Sequence, residues 1–327
     1  MKQVKMKAVQ STKYGSPEVF QLSEVERPDP KPHEILVRNY ATTVTAADIM
    51  MRKGKPLIGR LYLGIKKPKR TIQGFEFAGE VAKVGDAVTI FEVGDRVFGG
   101  TTALGGYGEY VCIDQNAVVT TIPDSISYEQ AAPVNGSAIT VMNFLHRLGN
   151  IQQGQKVLVN GASGGLGTYA VQIAKHFGAE VTGVCSTSNV DLVKSLSADK
   201  VIDYKKEDFT KNGIHYDIIF DTVGKRSYTE CKNSLTKNGL YLSPVANPLL
   251  FLQMLWTSFR SGKKAKTSAT GLLPVKVRLK YFIDVKKMMS AGQVKTVIDR
   301  HYQLSDMSAA HKYVETGHKK GNVIVAI

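Results

Sequence analysis

The chain has 327 residues, 43% hydrophobic and 22% charged, which is enough for two substantial cores and excludes a disordered polymer. It carries a formal net charge of +15 with a sequence pI near 9.5, so anionic ligands or surfaces have to be considered. Its three cysteines, Cys112, Cys185 and Cys231, are scattered, which excludes a disulfide framework and fits a reducing cytoplasm.

In chain order, Met1–Gln10 passes directly into strand-like sequence, with no apolar signal segment. Residues up to about Ile122 are rich in Val, Gly and Pro with short alternating runs, such as Glu34 to Tyr40, and predict an all-β domain. Pro123-Asp124 marks the exit into helical territory. Val157-Leu158-Val159 then forms a short strand that runs into Asn160-Gly161-Ala162-Ser163-Gly164-Gly165-Leu166-Gly167. Leu166, Ala170, Ile173, Ala174 and Phe177 follow on one face of a predicted helix. A strand, a glycine turn and a helix in that order suit a dinucleotide pyrophosphate. The backbone turns sharply, lets the phosphates approach without a Cβ in the way, and offers helix N-terminal N–H groups to the negative charge.

The alternation continues. Predicted strands cover Val181–Val184, Val201–Tyr204, Asp217–Asp221 and Gly239–Ser243, with helices at Asn189–Ser197 and Ser227–Leu235. Ala269–Leu273 is a candidate sixth strand. Such alternation implies a doubly wound parallel sheet of the Rossmann kind, with ligands at the carboxyl ends of its strands. Near Gly292 the pattern returns to a strand at Val294–Ile298, a helix at Ser305–Thr316 and a last strand at Asn322–Ile327.

The end of the second strand bears on cofactor choice. A carboxylate about 20 residues past the glycines would bond the ribose 2′-OH of NAD and repel a 2′-phosphate. Here the sequence reads Cys185-Ser186-Thr187-Ser188-Asn189, with no acid before Asp191. Ser186, Thr187 and Asn189 can donate to a phosphate, which favours NADP(H) over NAD(H). Tyr204 is a candidate wall for the adenine or a contact to the ribose phosphate.

Several separated motifs resemble one family. They are Lys13-Tyr14-Gly15-Ser16-Pro17-Glu18-Val19, Gly74-Phe75-Glu76-Phe77-Ala78-Gly79-Glu80-Val81 and Val93-Gly94-Asp95-Arg96-Val97-Phe98-Gly99. Gly105-Gly106-Tyr107-Gly108-Glu109-Tyr110-Val111, the Ala162–Gly167 turn and the closing Gly317–Val325 complete the set. In these the chain resembles the medium-chain dehydrogenase/reductase superfamily, in its zinc-lacking quinone oxidoreductase-like branch. The resemblance implies an α/β fold in which a Rossmann doubly wound parallel sheet is inserted in a GroES-like β-barrel catalytic domain. The boundaries expected are 1–124 and 292–327 for the catalytic domain and 125–291 for the NAD(P)-binding domain. It also implies cofactor contacts from Thr140, Gly161, Ser163, Gly164, Gly165, Leu166, Val223, Ser243 and Asn322, and a homodimer.

Zinc-dependent relatives place a Cys ligand where this chain has Thr45 and a His ligand where it has Phe75. Neither replacement is a thiolate or an imidazole. Glu76 survives beside Phe75 and is expected to be hydrogen-bonded within its turn. No metal is expected. The reaction implied is hydride transfer from NADPH to a quinone or to the β-carbon of an α,β-unsaturated carbonyl, a small-molecule substrate. Thr45 is the first candidate to hold the substrate oxygen and Tyr107 the second. The chain departs from related quinone oxidoreductases, which often have an Asn-Pro type pair where it has Thr45-Ala46. It departs from enoyl reductases in lacking a tyrosine within Met50–Pro56. Asn189 and Asn322 stand where relatives often carry basic residues. A metal-free alcohol dehydrogenase, and a non-catalytic NADPH-binding protein with a basic partner- or RNA-binding surface, remain the alternatives.

The basic clusters are Lys66-Lys67-Pro68-Lys69-Arg70 and Arg260-Ser261-Gly262-Lys263-Lys264-Ala265-Lys266. Neither has the interleaved aromatics of a base-stacking surface, so nucleic acid is disfavoured as a partner. Leu249–Trp256 is an apolar run too short to span a bilayer. It reads as a helix flanking the substrate cleft or a subunit contact rather than a membrane anchor.

Overall fold

Three successive apolar residues, Val157, Leu158 and Val159, are fully buried in the strand Lys156–Asn160, which therefore has both of its faces covered. That is the condition of a central strand in a parallel sheet. The computed structural model describes residues 4–101 and 104–327; the first three residues of the Met1–Gln10 stretch lie outside the described residues. The chain divides into two compact units, one made of the chain up to Gly136 plus Ile298–Ile327, the other of Ser137–Val297.

The second unit is built on a six-stranded sheet. Its order is Lys200–Asp203, Glu180–Cys185, Lys156–Asn160, Tyr216–Asp221, Leu235–Leu242 and Lys264–Lys266. All of its pairings are parallel. In chain order this is 3-2-1-4-5-6, and the order reverses between Lys156–Asn160 and Tyr216–Asp221. The sixth strand is Lys264–Lys266, while Thr270–Leu272, within the stretch proposed for it, forms a 3₁₀ turn. The reason is local: Ala265 is buried between two half-buried lysines, a period of two that the charges hide.

Helix Gly165–His176 buries more than one stripe. Tyr169, Ala170, Val171, Ile173 and Ala174 are all fully enclosed, because the helix has neighbours besides the sheet. Gln172 donates to the Lys295 carbonyl at 2.9 Å, and the hydroxyls of Tyr169 and Thr296 share a hydrogen bond of 2.6 Å. These contacts hold the segment after helix Val275–Ser290, so Val294–Val297 is not a strand and the next strand begins at Ile298.

In the first unit, Lys5–Gln10 pairs with Gln21–Glu26 as a separate two-stranded sheet. The larger sheet runs Ile298–Gln303, Asn322–Ala326, Glu34–Thr43, Glu76–Val84, Arg96–Gly100, Val118–Thr121, with Tyr110–Asp114 also paired to Glu34–Thr43. The ten-residue strand Glu34–Thr43 changes partners along its length: Glu34 to Arg38 pair with Asp114 to Tyr110, and Ala41 to Thr43 with Ala326 to Ile324. Its pairing with Glu76–Val84 shifts register twice, and such bulges bend a sheet. The expected barrel does not form: among the described residues the sheet does not close on itself. Val118–Thr121 and Ile298–Gln303 end the path unpaired with each other, the first only four residues long and the second without a buried residue. The unit is also not all-β. Thr45 caps helix Ala46–Arg52 in a capping box with Asp48, and helix Arg60–Leu63 follows.

Candidate active site

In the second unit the glycine turn stands at the carboxyl end of the central strand, beside the point where the strand order reverses. Gly161 has φ +81°, and a Cβ there would lie 2.4 Å from the side chain of Val223. A Cβ on Gly167 would lie 2.0 Å from the Gly161 carbonyl oxygen. These two glycines are required by the turn itself. Gly164 differs: a Cβ there would meet only the Gly161 carbonyl oxygen, at 3.4 Å. Gly164 is the N-cap of helix Gly165–His176 and supplies no side chain to cap it. The first donor inside the helix to find a backbone acceptor is Thr168, bonded to the Gly164 carbonyl at 2.9 Å. The N–H groups of Gly165, Leu166 and Gly167 are thus directed out of the helix beside a surface cleared of side chains. That cradle fits a pyrophosphate.

Asp221, which the sequence reading did not single out, organises the neighbouring strand end. It is fully buried and accepts from the Asn160 amide at 2.8 Å, from the backbone N–H groups of Val223 and Gly224 at 3.1 Å and from the Tyr241 hydroxyl at 2.9 Å. Ser243 donates to the Asp221 carbonyl at 2.8 Å. Val223 is held by this network against Gly161 and is 42% exposed, so it can still meet a ligand.

At the end of the second strand Asn189 is buried and donates to the Ser163 hydroxyl at 2.9 Å, tying the second strand end to the glycine turn. Ser186 and Ser188 are 3.4 Å apart at their hydroxyls. Thr187 donates to Asp203 at 2.6 Å. Asp203 pairs with Cys185 in the sheet register, so the third strand brings a carboxylate to the place where the second has none. The Thr187 hydroxyl and the nearby Lys205 and Lys206 hold Asp203 below the usual carboxylate range. Tyr204 beside it is 56% exposed. Thr140 lies in helix Ala138–Val141, which passes into a π-helical turn, Met142–Leu148.

The first unit holds a cluster of buried ionisable groups. Thr45 donates its hydroxyl to Asp48 at 2.5 Å, and its backbone N–H to the same oxygen at 2.8 Å. Burial raises the Asp48 carboxyl to about 6 despite these donors. Tyr107 is wholly buried, and its hydroxyl lies 3.1 Å from His311 Nε2. His311 is fully enclosed, which pushes it down to about 3 and keeps it neutral. Glu76 is not bonded within its own turn: one carboxylate oxygen accepts from Thr43 on the adjacent strand, the other from the Gly136 N–H. A Cβ on Gly136 would sit 2.8 Å from that second oxygen. Burial raises Glu76 to about 7. Lys319, donating to the Gly321 carbonyl at 2.8 Å, is lowered by burial to about 8. Asn322 is buried at the start of the last strand.

The structure thus brings Thr45, Asp48 and Tyr107 together in one unit, and the glycines, Ser163, Asn189 and Val223 together in the other. The sequence reading missed Asp48, Asp203, Asp221 and His311. Only Asp48 had a local signal, its place three residues after a threonine at a helix start. Among the described residues no three His, Cys, Asp or Glu side chains converge so as to hold a metal ion.

Comparison with known proteins agrees with this organisation. Residues 31–124 match the alcohol dehydrogenase GroES-like domain family, and residues 196–325 the zinc-binding dehydrogenase family. The chain is 30% identical to the chloroplastic quinone-oxidoreductase homolog of Spinacia oleracea, over 98% of both chains. It is 31% identical to the mitochondrial NAD(P)H oxidoreductase RTN4IP1 of Homo sapiens, over 90% of this chain and 82% of that one. Among solved structures, the Escherichia coli quinone oxidoreductase complexed with NADPH superposes with a TM-score of 0.84 at 25% identity, over 98% of this chain and 100% of that one. The quinone oxidoreductase of Coxiella burnetii gives 0.87 at 26% identity, over 99% and 100%. The chain therefore belongs to the medium-chain dehydrogenase/reductase superfamily, in its quinone oxidoreductase-like branch, and is an oxidoreductase with an NAD(P)H-binding fold.

Proposed function

We propose that this enzyme uses NADPH to reduce a quinone or an α,β-unsaturated carbonyl and does so without zinc. The observation that carries this reading is the glycine cradle at the strand-order reversal, with three helix N–H groups directed out of it. Bound there, the reduced cofactor supplies a hydride to the acceptor carbon, and a delocalised acceptor takes it without a Lewis acid. Gly164 clears the approach, Val223 packs beside the dinucleotide, and Ser186 and Ser188 are placed to donate to a 2′-phosphate.

The remaining task is a proton for the acceptor oxygen. A threonine hydroxyl has one proton, and in Thr45 it is committed to Asp48 while that carboxylate is ionised. When Asp48 is protonated, its own O–H can donate to Thr45 Oγ1, and the Thr45 proton is released to the acceptor oxygen. The Asp48 carboxyl near 6 makes both states accessible around neutrality. Tyr107 and neutral His311 back Asp48 as positioning groups. Thr45 and Phe75 stand at the positions of zinc ligands in metal-dependent relatives and offer neither thiolate nor imidazole. A second copy would pair along Lys264–Lys266, which has a sheet neighbour on one side only.

Stopped-flow measurement of NADPH and NADH oxidation with 9,10-phenanthrenequinone and a small enone tests the proposal. Faster turnover with NADPH that survives a chelator is expected. Turnover only in the direction of alcohol oxidation, or none with either acceptor, would reject it.

A further inference from the structure

The outward face of a helix on a globular protein is ordinarily polar. Helix Pro248–Ser258 reverses this. Only Leu250 and Thr257 are buried along it, while Leu249, Phe251, Leu252, Leu255 and Trp256 are each half or more exposed. Phe259, just past its end, is 83% exposed. At 100° per residue these six side chains cover one continuous arc opposite the buried pair, and no charged residue interrupts it.

The stretch of chain that carries this face is basic. From Cys231 to Ile283 the chain has nine Lys and Arg residues and no Asp or Glu. Arg260 lies 3.9 Å from the centre of the Trp256 ring. A concave surface at the helix end is lined by His215, Lys237, Asn238, Trp256, Arg260 and Lys263. The carboxylates around it already have partners: Asp217 accepts from Thr236, which lines the concavity, at 3.1 Å and from the Lys156 N–H at 2.9 Å. Glu230 is bonded to Ser227 and paired with Arg226.

From this juxtaposition we propose that the helix Pro248–Ser258 and the basic concavity at its end form a docking surface for an anionic phospholipid bilayer. The helix lies in the plane of the interface with its apolar arc among the acyl chains, and the concavity takes the lipid headgroup phosphates. At 11 residues it is about 16 Å long, so it rests on the bilayer and does not cross it. Charge complementarity selects an anionic occupant for the basic residues, and the continuous apolar arc beside them selects one that carries acyl chains.

Vesicle co-sedimentation tests the proposal, with Trp256 fluorescence as a second readout, since it is the only tryptophan in the chain. The full chain should sediment with phosphatidylcholine vesicles containing 30% phosphatidylglycerol, with a blue shift of Trp256 emission, and should stay in solution with phosphatidylcholine alone. Leu252→Glu should abolish partitioning while the melting temperature is retained. Lys237→Ala and Arg260→Ala should each weaken it about five-fold at low salt. No partitioning into anionic vesicles overturns the proposal. So does partitioning that Leu252→Glu leaves unchanged. A dimer that Leu252→Glu splits, with no lipid binding, would assign the face to a subunit contact. Binding to a polyuridine strand in place of vesicles would assign it to nucleic acid.

Discussion

Asp203 accepts a 2.6 Å hydrogen bond from Thr187, although the two residues lie on different strand ends and 16 positions apart. If NADPH is the cofactor, as proposed, this carboxylate lies near its 2′-phosphate and offsets part of the preference that Ser186 and Ser188 would confer. Replacing Asp203 with Asn should raise the ratio of NADPH to NADH kcat/KM several-fold, mainly through KM. A ratio that falls would show that Asp203 assists the phosphate through Thr187.

Two glycines of one turn should respond differently to alanine. Gly161→Ala imposes a Cβ at φ +81° and 2.4 Å from Val223, and should cost the fold at least about 2 kcal/mol. Gly164→Ala has room within the protein, so its melting temperature should hold while NADPH affinity falls about ten-fold, measured by calorimetry. Equal affinity in Gly164→Ala and the wild type would remove the cradle from the cofactor site.

Thr45 and Asp48 should leave a signature in the pH profile. With Asp48 near 6, kcat for quinone or enone reduction should fall as pH rises through that value. Asp48→Asn should flatten this limb. Thr45→Val should lower kcat about 100-fold with little change in NADPH affinity, and Thr45→Ser should restore most of it. A profile that keeps its limb in Asp48→Asn would assign the proton to another group.

Two buried groups predict opposite stability windows. Glu76 is raised from 4.5 to about 7, so the folded state binds its proton more tightly than the unfolded chain does. Its contribution is complete below about pH 4.5 and is lost as pH rises through 7, a change on the order of 3 kcal/mol. His311 is lowered from 6.5 to about 3, so its contribution is present above 6.5 and lost as pH falls toward 3. Urea unfolding of Glu76→Gln should lack the decline between pH 5 and 8, and His311→Gln should soften the acid decline. A wild-type stability that rises from pH 5 to 8 would contradict the Glu76 assignment.

The family and the dinucleotide cradle were legible in the sequence because both rest on contiguous residues. Glycines at fixed offsets after an apolar strand impose the turn locally, wherever the rest of the chain goes. So do the 3.6- and 2-residue periods that marked most strands and helices. The misplacements have physical causes too. Lys264-Ala265-Lys266 hides a strand beneath its charges, and the first unit's sheet stays open because its bent long strand shares its edges among several partners.

What the order of amino acids determined alone was the local chemistry: a glycine-rich turn after an apolar strand, no cysteine or histidine at Thr45 or Phe75, and a basic stretch with no acid in it. Only the tertiary structure decided which distant groups meet. It set Asp203 beside Thr187, closed Asp221 within the turn at Val223, and buried Asp48, Glu76 and His311 deeply enough to move their protonation toward or away from neutrality. Burial and pairing between strands depend on the whole packed chain, so no window of sequence contains them.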